Sequence, residues 1–223
     1  MSNRPDLSEG FAPSALVPVA GDIVRELAPR LAAVRAGGRL VIGFGGESGS
    51  GKSETARMVA ETLTGGGIEA LVINMDDYYI RPPYTNHEWR QAGPIERIGP
   101  GEVDLARLDG HIAAFRRGEP GVDAPRLVYA ENRFEERHLD FGGVRVLCVE
   151  GTYVLSLEAL DVRVFLAATH AETAARRAAR ARAAEELSPF VARVLEHEHQ
   201  IVARYAARAD LIVDAEFRLV PPR

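Results

Sequence analysis

The chain has 223 residues, 46% of them hydrophobic, with 32 acidic against 27 basic side chains and a formal charge of −5. That is enough apolar material for one substantial core, and the acidic balance argues against a polyanion binder whose affinity comes from neutralising phosphates. No nucleic-acid partner is expected, and since no run approaches the roughly 20 apolar residues that span a bilayer, no membrane partner either.

In chain order, residues 1–21 carry three prolines and no periodicity, and are expected to form a flexible leader. They lack the basic-then-apolar order of a signal peptide, which makes a cytoplasmic location the expectation. Residues 22–223 read as one domain. Ile23, Leu27, Leu31 and Val34 recur at helical spacing over 22–36, and Gly37-Gly38 ends the pattern. Five runs rich in Val, Ile and Leu follow, at 40–44, 70–74, 144–149, 162–167 and 211–213, each reading as a buried strand. Helical segments lie between them at 52–63, 103–117, 172–187 and 189–207. Strands separated by helices predict an α/β fold with a five-stranded parallel sheet and helices on both faces. Thr169 and Glu172 have capping-box spacing, and Ser188-Pro189 is a cap followed by a first-turn proline. The single cysteine, Cys148, sits inside "VRVLCVE" and reads as a small buried hydrophobe.

The most specific signal is "GGESGSGKS", residues 45–53. It holds the only lysine of the chain, Lys52, where the other 26 basic residues are arginine. Gly46, Gly51, Lys52 and Ser53 satisfy G-x-x-x-x-G-K-[ST] between a predicted strand and a predicted helix, the context a phosphate loop requires. Glycines let the amides of Glu47, Ser48, Gly49, Ser50 and Gly51 turn toward one anion, and the dipole of the following helix, which includes Glu54, adds to their pull. A compact ammonium reaches into such a loop where a planar guanidinium fits badly, which accounts for the lone lysine. Ser53 would offer its hydroxyl to Mg²⁺, so ATP and Mg²⁺ are the expected cofactors.

Two further acidic sites end predicted strands, where open parallel sheets collect their ligands. "VRVLCVEG" ends on Glu150, a candidate metal-side carboxylate. "VINMDDYY" ends on Asp76 and Asp77, either of which could accept the proton of an attacking alcohol; adjacent residues point to opposite sides, which leaves the two open.

The combination "GESGSGKS", "NMDDYY" and "VEGTYVL", followed by an arginine-rich helix and "ARADLIVD", resembles the group of uridine kinases, phosphoribulokinases and bacterial pantothenate kinases, in order from about residue 40 to 214. The resemblance implies a three-layer P-loop NTPase-type fold, an acceptor-covering segment at about 76–134 and an arginine-bearing helical lid at about 170–190. It makes Asp76 the general base, Glu150 a magnesium ligand and Tyr79 an acceptor contact. Arg176, Arg177 and Arg180 become lid arginines, with Arg176 and Arg180 on one helix face. Arg81, Tyr84, His87, Trp89, Arg126 and Arg133 fall in segments that could touch the acceptor. Two departures stand out: Ala181 replaces an aspartate that usually follows the lid arginines, and "ENR", residues 131–133, replaces an "HSR" that places a histidine near a nucleoside. The expected reaction is transfer of the γ-phosphoryl group of ATP to a hydroxyl of a small molecule, either a nucleoside or a sugar- or pantothenate-like alcohol. The alternative is a nucleotide hydrolase or switch, against which no "NKxD" or GTPase-like signature appears. A homo-oligomer is left open. His197 and His199, two apart and about 200° around a helix, are expected on a solvated face rather than around one metal.

Overall fold

The computed structural model describes residues 13–180 and 188–221. Its secondary structure begins with α1 (Pro13–Glu26) and α2 (Ala28–Arg35), then β1 (Leu40–Gly46), α3 (Lys52–Gly65) and β2 (Ala70–Asn74). A short 3-10 turn, Met75–Tyr78, leads to α4 (Pro83–Gln91) and α5 (Leu105–Arg117). A hairpin of β3 (Gly121–Val128) and β4 (Arg133–Asp140) precedes β5 (Val146–Glu150) and β6 (Val162–Leu166). The chain closes with α6 (Ala174–Arg180), α7 (Pro189–Val202), β7 (Leu211–Val213) and β8 (Leu219–Val220).

The main sheet has the order β2-β5-β1-β6-β7-β8. Its first five strands are parallel and are the five expected from sequence; β8 adds an antiparallel edge strand too short to carry a pattern. Side chains alternate along a strand, and β5 shows the result. Leu147 and Val149 enter one core with Leu108, Ile112 and Phe115 of α5, while Val146 and Cys148 enter the other with Ile23, Val59 and Leu63 of α1 and α3. The fold is thus three-layered, α/β/α. Cys148 is fully buried, and burial pushes its thiol up to about 12, consistent with an inert core residue.

Two expectations change, and one segment without a sequence pattern takes a defined structure. Residues 13–21 are not a loose leader: they begin α1, whose Leu16, Val19 and Ala20 are buried against the sheet layer. Residues 1–12 lie outside the described residues. The single helix expected over 22–36 is two helices, because Pro29 in the first turn of α2 has no N–H to give the carbonyl four residues back. The segment covering 121–140 is an antiparallel hairpin with full register from Gly121–Asp140 to Val128–Arg133. Pro125 and a run of charges hide it from pattern reading. Among the described residues no helix is long and apolar enough to cross a membrane.

Candidate active site

The phosphate loop is shaped by two glycines at which a side chain would clash or strain the backbone. A Cβ on Gly46 would stand 2.6 Å from the carbonyl oxygen of Leu166 on the neighbouring β6, and Gly51, at φ +94°, takes the left-handed conformation from which α3 starts. Lys52 is the first helical residue, and its Nζ donates to the carbonyl of Glu47 at 3.2 Å, folding the ammonium back over the loop. Ser53 follows, its Oγ donating to Glu150 Oε2 at 2.9 Å. Parallel pairing explains that meeting: Glu150 ends β5 between Phe44 of β1 and Asn74 of β2. A hydroxyl and a buried carboxylate converge there as hard oxygen donors, a set suited to Mg²⁺. Glu54, also buried, borders the same cleft one residue further along α3.

A cleft of about 1040 Å³ runs from this loop past the end of β2 to the β3–β4 hairpin. Ser48, Gly49, Lys52 and Ser53 line it together with Asp76, Tyr79, Arg81, His87 and Arg133. The two aspartates separate by environment. Asn74 caps the 3-10 turn by accepting from the N–H of Asp76 at 2.7 Å, which leaves Asp76 exposed on the cleft wall. Asp77 is buried; its Oδ1 accepts from Leu127 N at 2.9 Å and its Oδ2 from Arg137 at 3.1 Å. Although it borders the cleft, Asp77 serves to fasten the hairpin to the sheet edge.

The acceptor wall is built on a network that the sequence conceals. Arg90 of α4 makes a bidentate pair with fully buried Glu102 at 2.6 and 2.9 Å and a third contact to Glu198 of α7 at 3.0 Å. Asn86 and the Gly99 amide complete the hydrogen bonds to Glu102, and Tyr153 Oη donates to Glu198 at 3.1 Å. Burial alone would lower the Arg90 pKa, but Glu198 and Glu102 outweigh it and hold it above its ordinary value. Tyr79 lies over this network, and burial, reinforced by Glu198 and Asp76, raises its phenol well above the usual range, so it remains a neutral donor. No motif flags Arg90, Glu102 or Glu198, since each belongs to a different segment.

Other expected contacts are placed as follows. Arg81 stacks on Trp89, 4.1 Å from the ring centre, and His87 meets Phe190 of α7 edge-on at 5.6 Å. "ENR" is the hairpin turn: Asn132 adopts a left-handed conformation and accepts from the Tyr84 N–H, while Arg133 pairs with Glu131 at 2.6 Å and Glu135 at 3.4 Å. Arg126 also pairs with Glu135, at 3.4 Å. At the lid, Thr169 and Glu172 bond reciprocally as the capping spacing predicts. Arg177 donates to the carbonyl of His170 and to Thr173 Oγ1, both at 2.6 Å, beside Gly49. The side chains of Arg176 and Arg180, and residues 181–187, lie outside what is described.

Two histidines are corrected, and the carboxylate of Glu47, to which the sequence reading gave no role, meets one of them together with His170. His199, with His197, was expected on a solvated face; instead His199 Nδ1 lies 2.6 Å from Glu47 and His197 Nε2 3.2 Å from the carbonyl of Ile98. Both rings are half-buried because α7 packs across the loop and the α4 region, which helix periodicity alone does not reveal.

A parallel sheet that feeds a lysine-bearing phosphate loop, with carboxylates at or just after the ends of the two strands beyond β1 on one side, β5 and β2, has the architecture of P-loop kinases. Comparison with known proteins narrows it. No family model matches the chain. It is 32% identical over 186 residues, 78% of its length, to the bifunctional α-galactosidase/sucrose kinase AgaSK of Mediterraneibacter gnavus. It is 30% identical over 126 residues, 56% of its length, to a uridine kinase of Deinococcus deserti. The chain spans 20% of the first of these relatives and 58% of the second. In fold it superposes on phosphoribulokinase from Rhodobacter spheroides with a TM-score of 0.59 at 12% identity, covering 79% of this chain and 70% of that one. These likenesses in sequence and fold support a place for the chain in the uridine kinase-like group of P-loop kinases.

Proposed function

We propose that this protein transfers the γ-phosphoryl group of ATP to a hydroxyl of an uncharged, polyhydroxylated small molecule of the sugar class. The observation that carries the reading is one cleft lined by Lys52, by Ser53, whose hydroxyl bonds Glu150, and by Asp76, two residues beyond the strand partner of Glu150. Lys52 and the loop amides hold the triphosphate, and Ser53 and Glu150 hold Mg²⁺, which when bound neutralises charge on the transferring phosphate. Asp76 accepts the proton of the attacking hydroxyl. Arg177, at the base of the lid, stands where a cation can stabilise the charge that spreads over the phosphoryl oxygens.

Charge at the acceptor end supports a neutral substrate. Arg81, Arg90, Arg126 and Arg133 line it, but so do Asp76, Asp77, Glu131, Glu135 and Glu198, and three of the four arginines are already paired with carboxylates. A phosphorylated or acidic acceptor would meet no excess of positive charge there, whereas alternating donors and acceptors suit a polyol. The relative that is named in part a sucrose kinase supports the same class, and the replacement of the family's "HSR" by Glu131–Arg133 weighs against a nucleoside.

The test is ADP formation with Mg²⁺-ATP against neutral mono- and disaccharides, uridine and sugar phosphates, with the product identified by ³¹P NMR. Turnover is expected with a neutral saccharide and not with the phosphorylated sugars. Turnover that ignores every acceptor would instead identify a hydrolase, and a preference for uridine would overturn the acceptor class.

A further inference from the structure

At the phosphate loop, one buried carboxylate faces two imidazoles. Glu47 is 5% exposed; its Oε1 lies 2.6 Å from His199 Nδ1, and its Oε2 lies 3.0 Å from His170 Nδ1. One ligand atom from each of the three residues lies within 4.8 Å of the other two. The rings meet edge-on with centres 5.5 Å apart, and each turns its Nδ1 to the Glu47 carboxylate, whose Oε2 also accepts from the His170 backbone N–H at 2.6 Å. The three residues come from separate parts of the fold: the phosphate loop, the turn between β6 and α6, and α7. We propose that Glu47, His170 and His199 form a binding site for a transition-metal dication of the zinc class, distinct from the magnesium position at Ser53 and Glu150.

The donor set selects the metal. Two imidazoles and one carboxylate match zinc, whereas magnesium prefers oxygen ligands and keeps several waters. The surroundings also fit. His170 Nε2, the nitrogen turned away from the site, lies 3.5 Å from the carboxylate of Glu196, the outer partner that metal-bound histidines commonly use to fix their tautomer. The imidazoles keep part of their surface, 21% for His170 and 35% for His199, so a fourth ligand can come from water. A hydrogen-bonded triad without metal would use the same contacts with a proton on each Nδ1, and a metal would take the place of those protons while each ring carries its proton on Nε2 instead. A bound ion would clamp the phosphate loop to the base of the lid and to α7, the helix that also supplies Glu198 to the acceptor wall.

The experiment is Zn²⁺ titration of the tag-free, chelator-stripped chain in excess Mg²⁺, followed by competition with a chromophoric chelator and by NMR of the imidazole protons. One equivalent is expected to bind and to shift two of the six histidines. Binding is lost in His170→Ala and in His199→Ala, is about tenfold weaker in Glu196→Gln, and is unchanged in His138→Ala, an exposed histidine elsewhere on the surface. Absence of stoichiometric binding, or binding that survives loss of both His170 and His199, overturns the site. Should the histidine variants fail to fold, the wild-type NMR titration still decides: shifts confined to other histidines mean adventitious surface binding and refute the proposal.

Discussion

At the residue scale, adjacent Asp76 and Asp77 take different tasks because one turn of backbone sends one to the cleft and the other into the protein. Asp77 is 2% exposed and spends its oxygens on Leu127 and Arg137, while Asp76 stands exposed beside the acceptor space. Asp76→Asn is therefore expected to lower kcat by about 10²–10⁴-fold while nucleotide affinity, measured with a fluorescent ATP analogue, stays within twofold, on the order of an unperturbed site. Full turnover in that variant would remove Asp76 as the base. Alternation of side chains along a strand announces that the two carboxylates differ; which one faces the ligand follows from the Asn74 cap, a contact that spacing cannot supply.

At the element scale, the acceptor wall depends on α4 and α7 being held together through Arg90. Glu102 is fully buried and satisfies Arg90, Asn86 and the Gly99 amide together. Glu102→Ala leaves a guanidinium in an apolar setting with only Glu198 to face, and is expected to cost about 3–5 kcal/mol in urea denaturation. A loss below about 1 kcal/mol would mean that the pair is solvated and does not organise the wall. The start of α7 was legible, since Ser188 caps it by accepting from the Val191 N–H and Pro189 fits the first turn. Its packing was not, because Glu198, His197 and His199 find partners up to 152 residues away in the chain.

At the scale of the whole molecule, the sheet is covered on one face by α1, α2 and α3 and on the other by α5, the hairpin and the segment after α7. The amino-terminal helix is part of that cover. Ile23 is fully buried in the second core, and Ile23→Ala is expected to destabilise the fold by about 2–5 kcal/mol. Cys148 provides the readout. With its thiol buried and its pKa raised to about 12, it reacts with a thiol reagent only on unfolding, so its labelling midpoint in urea should fall together with the circular-dichroism midpoint. Labelling of the native protein before any loss of secondary structure would contradict a closed core around β5.

The sequence by itself determined the parallel sheet, because five apolar runs separated by helix-period segments have few other ways to bury themselves. It also determined the phosphate loop, whose glycines, lysine and serine are consecutive and act through local backbone geometry. Tertiary structure alone decided the hairpin along the cleft, the Arg90–Glu102–Glu198 network and the meeting of Glu47 with His170 and His199. Each of those is a contact between distant segments, fixed by which helix faces pack on which sheet edge, and such contacts leave no periodicity or spacing along the chain.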